Sequence, residues 1–182
     1  MIRTVIVPPA EEPLSLVAAK NFLQIGHDAE DDLIVELLAG GRAHVENSLD
    51  LALVNQTIET SISSSAIGLE GFVLRPGPIS ELISIIHETD DGGSTDVTGL
   101  FALEGALLRL RAGESLSRFS HPGILKIQFQ AGYGTAGDVP DDLLLALRLL
   151  LGQSYQHRSG AFETNAIVTI TDLLSPYREA RL

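Results

Sequence analysis

The hydrophobic positions change period along the chain, and each change marks an element. Leu16, Ala19, Phe22 and Leu23 recur at helical spacing, predicting a first helix from Ser15 to about Gln24. Ser15 is a good N-cap, Pro13 stands just outside, and Gly26 is placed to end the helix. A second helix is predicted from Glu30 to about Leu49, with Ile34, Leu37, Leu38, Gly41, Val45 and Leu49 in period. Asp28, Asp31 and Asp32 lie at its start, where negative charge favours a helix N-terminus. Gly40 and Gly41 fall mid-helix, where each glycine costs ~1 kcal/mol against alanine. Close approach of another helix or of a neighbouring subunit would offset that cost; a local kink is the alternative.

The period then drops to two. Val54, Gln56, Ile58, Thr60 and Ile62 alternate with Asn55, Thr57, Glu59, Ser61 and Ser63, a strand with one polar face. Phe72 to Leu74 is a short second run, stopped by Arg75-Pro76-Gly77-Pro78. Ile83 to Glu88 is a third, followed by the turn Asp90-Asp91-Gly92-Gly93. Val97 to Leu103 and Leu107 to Arg111 are weaker strand patterns. The clearest strand is Leu125 to Ala131, with Leu125, Ile127, Phe129 and Ala131 on one face.

Helical spacing returns at Pro140, a favoured first helical residue, with Asp141 and Asp142 in the first turn. Leu143, Leu147, Leu150, Leu151 and Tyr155 form a stripe, and Leu144, Leu145 and Leu149 make the helix apolar nearly all round. Such a helix is buried within its domain or between subunits. His157, Arg158 and Gly160 mark its end, and Ala161 to Asn165 read as a loop. An apolar and basic tail follows: Leu173, Leu174, Ser175, Pro176, Tyr177, Arg178, Arg181 and Leu182. The pattern predicts an α+β fold: a small helical bundle with an antiparallel β lobe inserted between helices two and three. Residues 14–50 and 138–182 would form the helical body and residues 53–134 the lobe, within a single domain.

Composition narrows the chemistry. A chain of 182 residues suits one domain, or one with an inserted lobe. There is no cysteine, hence no disulfide and no thiolate metal site. Met1 to Pro9 is too short and too broken by proline for a signal peptide, and Leu143 to Leu151 contains Arg148 and is too short to span a membrane. Twenty-four acids against twelve Lys and Arg give a net charge of −12, which argues against phosphate binding over the whole surface. Arg109, Arg111 and Arg118, or Arg178 and Arg181, leave room for a local basic patch. The acidity either keeps the protein soluble or lines a channel through which DNA slides without sticking.

Enzymatic signatures are missing. His44-Val45-Glu46 has the His-x-Glu of zinc deaminases without their cysteine pair, and reads as a helix-surface histidine. There is no His-Glu-x-x-His, no Gly-x-Ser-x-Gly and no Walker A loop. The acidic runs at His27 to Asp32 and Asp90 to Asp96 lack EF-hand spacing, and capping or a solvated hairpin explains them. His87, His121 and His157 fall in different elements. A Ser-His-Asp site assembled from distant segments would leave no trace in sequence order. The reading is therefore of a non-enzyme, with no cofactor and no metal. The unusual features concern packing: the apolar third helix, the glycine pair and the apolar tail, which would want a partner surface unless it packs on its own domain.

These residues resemble the head–tail connector (adaptor) proteins of long-tailed phages and gene transfer agents. Glu12-Pro13-Leu14-Ser15-Leu16, Ala19-Lys20, Phe22-Leu23, Asp31-Asp32-Leu33-Ile34, Ala43 and Val45-Glu46 are similar to that family's N-terminal helical pair. Gln56-Thr57-Ile58-Glu59 resembles the following strand, and Leu74-Arg75-Pro76-Gly77-Pro78-Ile79 its proline-bounded turn. Ile127 to Gly134, Val139-Pro140, Ala146, Tyr155 and Arg158 resemble the closing strand, turn and long helix, and Leu173-Leu174-Ser175-Pro176-Tyr177-Arg178 the usual ending. The likeness runs in order over nearly the whole chain. Its most specific parts are Ala-Gly-Tyr-Gly with Val-Pro, and Leu-Leu-x-Pro-Tyr-Arg. Two departures, Ile58 where an aromatic is frequent and Ala18 where an acid is frequent, touch stability rather than function.

The resemblance implies a structural virion protein, assembled in the bacterial host cytoplasm and resident at the head–tail junction. It implies a homo-oligomeric ring of about twelve copies below the portal protein, with heterologous contacts between neighbours. The ring would meet a tail-side connector or terminator and continue the DNA channel without sequence-specific DNA binding; no membrane is involved. The helices would form the ring body, with the β insert facing outward or toward the tail. Leu173, Leu174, Pro176, Tyr177, Arg178 and Arg181 become candidates for gripping the portal or a neighbour, with Tyr177 and Arg178 needed for docking but not folding. Gly40, Gly41, Leu147 and Leu151 become candidates for subunit packing. The alternatives are a tail-completion or terminator subunit, an unrecognised enzyme such as a cell-wall hydrolase, or a small nucleic-acid-binding module.

Overall fold

The computed structural model describes residues 2–67, 71–114, 123–157 and 164–178. The fold is α+β, and the chain divides into two compact units. One comprises Met1–Pro9 and Asn55–Gly132; the other comprises Ala10–Val54 and Tyr133–Leu182.

The first unit is built of antiparallel strands. β1 (Ile2–Val7), β2 (Gln56–Ser63), β4 (Ile79–Thr89), β5 (Ser94–Asp96) and β8 (Gly123–Ala131) form a sheet in the order β1-β2-β8-β4-β5. β3 (Phe72–Val73), β6 (Phe101–Glu104) and β7 (Leu107–Leu110) form a second sheet in the order β3-β7-β6. The predicted alternation holds in the two central strands. Gln56, Ile58, Thr60 and Ile62 of β2 are buried, as are Leu125, Ile127, Phe129 and Ala131 of β8. The register sets Ile58 against Phe129 and Thr60 against Ile127, so both buried rows share one face. Leu82 and Ile85 of β4 continue that row opposite Phe129 and Ile127. Phe101 and Leu108 are buried in the smaller sheet.

Several strand boundaries depart from expectation. β1 was not expected at all. β4 starts four residues earlier than the apolar run at Ile83, bulging between Ile79 and Glu81 and again between Leu82 and Ser84. The predicted strand from Val97 begins instead with a 3-10 turn at Thr98–Leu100, held by the Asp96 carboxylate accepting from the backbone and hydroxyl of Thr98.

The second unit is helical. α1 (Leu16–Leu23) has the predicted Ser15 cap, whose hydroxyl accepts from the Ala18 N–H at 3.2 Å. It ends on Gln24 in left-handed conformation (φ 60°) rather than at Gly26. Lys20 then reaches Asp28 (2.6 Å) and Asp31 (2.7 Å), tying the loop down. α2 (Asp31–Leu49) ends on Asp50, also left-handed. Arg42 of α2 bridges Glu12 at 2.8 Å and Glu46 at 2.9 Å, and the second oxygen of Glu46 accepts from the Leu53 N–H. α3 (Asp141–Gln156) follows Pro140 and buries Leu143, Ala146, Leu147, Leu150 and Leu151. The all-round leucine pattern resolves into one buried face, leaving Leu145 exposed.

The larger difference is at the end of the chain. The stretch read as loop and tail contains a fourth helix, α4 (Thr164–Leu174), with a 3-10 turn at Ser175–Tyr177. Asn165 lies in that helix; Ala161, and the expected helix-end markers Arg158 and Gly160, lie outside the described residues.

Candidate functional surfaces

The C-terminal candidates do not form one exposed arm. Leu174 is only 4% exposed and lies in a core with Val54, Val139, Leu143 and Leu147. Leu173 and Tyr177 pack against the same core. The Tyr177 hydroxyl is held above its ordinary pKa by burial and by the nearby Asp142 carboxylate. Tyr133, which packs against the same core, is raised by burial and by Tyr177. Pro176 and Arg178 are exposed. The segment thus has an inward half that completes the helical core and an outward half that offers a proline and a cation. Arg181 lies outside the described residues.

The glycine pair also divides. A Cβ on Gly41 would sit 3.6 Å from Leu150 and 3.9 Å from Leu147, ordinary van der Waals contact, so this glycine lies at the α2–α3 packing surface. Leu147 and Leu151 are buried at the same contact. Gly40 is exposed, and nothing lies within 4 Å of a Cβ built there. It borders an open groove of about 270 Å³ together with Glu36, His44, Leu150 and Ser154. Gly40→Ala should therefore raise the unfolding free energy by about 0.5–1 kcal/mol, since it fits the helix and restricts the unfolded chain. Denaturant titration checks this. A loss of stability would show that the space is not open.

The Gly-Tyr-Gly motif has a structural task. Gly132 (φ 136°) and Gly134 (φ 130°) adopt backbone angles that side chains resist, and a Cβ on Gly134 would meet the Asp138 carboxylate at 2.5 Å. That carboxylate accepts from the Thr135 N–H at 2.8 Å and hydroxyl at 2.7 Å, closing a capping box that leads the chain into α3. These bonds hold the Asp138 carboxyl below its ordinary pKa. A depressed pKa means the turn's contribution is fully present above the ordinary carboxyl range and is lost as pH falls through the lowered value. An NMR titration of Asp138 should show that low midpoint, and Thr135→Ala should return it toward the ordinary value.

No described group of three or more His, Cys, Asp and Glu is placed to hold a metal ion. No described helix is long and apolar enough to cross a membrane. His44 is exposed on α2, His87 is buried in β4, and His121 lies outside the described residues. The apolar exposure that sequence reasoning missed is in β1, where all six residues face solvent. The signal was present as five β-branched residues in six, hidden by the prolines that follow.

No protein-family model matches the chain, and no curated protein matches it. Solved structures do. A chain from the neck of an empty gene transfer agent particle, computed with C6 symmetry, superposes with a TM-score of 0.83 at 19% identity. A chain from the virion of a native gene transfer agent particle gives 0.83 at 21% identity. A third, from the neck of the native particle computed with C12 symmetry, gives 0.79 at 19%. Each alignment covers 100% of this chain and 97% of the other. The shared fold is complete from end to end.

Proposed function

We propose that this chain is a structural subunit of a phage-like particle, a head–tail connector that assembles as a ring at the neck and extends the DNA channel from portal to tail. The observation that carries the reading is the end-to-end fold likeness to chains of gene transfer agent neck and virion structures, two of them computed with cyclic symmetry. The ordered sequence resemblance supports it, since Gly132, Gly134 and Pro140 occupy the junction into α3 where the fold needs them. The ring of about twelve copies is a closed cyclic assembly with heterologous contacts. A net charge of −12 per copy suits a conduit from which DNA must not be held back. The role is non-enzymatic and needs no cofactor. Pro176 and Arg178 are the parts of the C-terminal segment exposed to meet a portal or neighbouring subunit, and the Gly40 groove is a second contact surface.

Deleting the gene in the producing cell tests the reading. DNA-filled heads and finished tails that fail to join, rescued by the gene in trans, are expected. Normal joined particles would contradict it, and joined particles with defective tail ends would favour a tail-completion subunit.

A further inference from the structure

We infer that the five-stranded sheet is continued from copy to copy by strand addition, β1 of one copy adding antiparallel to the open first half of β4 in the next. The inference rests on the ring reading and deepens it by naming a contact.

β1 ends the sheet, and no described strand lies beyond it. Its six residues are exposed on both faces, with Ile2 at 71% and Val7 at 53%. A β-branched edge with one charge, Arg3, lacks the charge density that ordinarily keeps sheet edges apart, so its unused backbone ladder accepts another strand. The opposite end of the sheet offers that strand. β5 covers β4 only at Ile86–Glu88. Next to it, Ile85 donates to the Thr98 hydroxyl and its carbonyl accepts from Val97. From Ile79 to Ser84 no described strand pairs on the outer side of β4, and Ile83 is exposed. The two open stretches, Ile2–Val7 and Ile79–Ser84, match in length.

Polarity selects head-to-tail joining. Neighbouring strands are antiparallel at each step from β1 through β2 and β8 to β4, so β1 and β4 run in opposite directions. Rotation about an axis along the strands preserves each direction, which brings β1 of one copy antiparallel to β4 of the next and lets a ring close. Joining β1 to β1 would stop at a dimer. Charge agrees: in a chain of net −12, the β1 edge carries Arg3 and no acid, whereas the open β4 edge carries Glu81 and no base. The bulges in both strands oppose flat, indiscriminate pairing.

The natural chain has no cysteine, so placed thiols are unambiguous. In particles assembled with Thr4→Cys plus Ser80→Cys, both exposed positions, we would apply a bismaleimide shorter than the ~14 Å between β1 and β4 within one sheet. A ladder of multimers is expected, with monomers only from either single variant. Dimers from Thr4→Cys alone would overturn the inference in favour of β1–β1 pairing. Monomers only, in particles that contain the double variant, would overturn it and leave the ring reading standing. Absence of the wild-type chain from particles would remove the ring reading and the inference with it. Ile6→Lys should leave the thermal midpoint unchanged and lower incorporation roughly tenfold; normal incorporation of this folded variant would also overturn the inference.

Discussion

Leu174→Ala should lower the unfolding free energy of the helical unit by about 2–5 kcal/mol, the range for a leucine truncated in a closed core. Leu174 is buried with Val139, Leu143 and Leu147, so its loss leaves a cavity rather than a solvated notch. Arg178→Ala, just past the 3-10 turn that follows α4, should change stability by no more than about 0.5 kcal/mol, because the side chain is exposed. Tyr177→Ala should fall between them, since its ring packs on the same core from a partly exposed position. Chemical denaturation of the three variants measures the order. Equal and negligible effects would mean the C-terminal segment does not complete the core. The expected order revises what a docking assay means: a defect in Tyr177→Ala would mix folding with recognition, whereas one in Arg178→Ala would report recognition alone.

The second large effect is expected at a backbone contact. Gly123 opens β8 directly against β4, and a Cβ there would lie 2.2 Å from the Glu88 carbonyl oxygen and 2.9 Å from the His87 ring. The carbonyl belongs to a paired strand and cannot rotate away without breaking the ladder. Gly123→Ala should therefore cost about 1–3 kcal/mol, as overpacking does. The damage should concentrate at the Thr89 end of β4, seen as faster amide exchange there than at Ile58 or Phe129. Uniformly unchanged exchange would show that the strands separate at that end without penalty.

Much of this fold can be read from residue order, and the exceptions have physical causes. β2 and β8 were legible because each has one wet and one dry face, so burial writes itself into alternate positions. α1 and α2 were legible from capping residues and period, although α1 stops two residues before Gly26 because Gln24 itself takes the left-handed conformation. α4 was missed although Ile170, Leu173 and Leu174 are spaced for one face. Thr164, Ile167, Val168, Thr169, Ile170 and Thr171 are β-branched, and packing overrides their weak helix propensity. β1 was missed because its residues are apolar yet exposed, a pattern with no burial signal to read.

The candidate surfaces were legible only in part. Residue types singled out the C-terminal segment, but only the three-dimensional course of α4 separates the inward Leu173, Leu174 and Tyr177 from the outward Pro176 and Arg178. Adjacent glycines looked alike in sequence; on a helix they are about 100° apart, which sets Gly41 against Leu150 and leaves Gly40 facing open space.

The most direct test of the connector role is to mix the purified chain with the portal protein of its own particle and examine the mixture by native mass and negative stain. A stoichiometric second ring seated on the portal is expected. Two folded proteins that remain separate would contradict it and move the chain to the tail side of the neck.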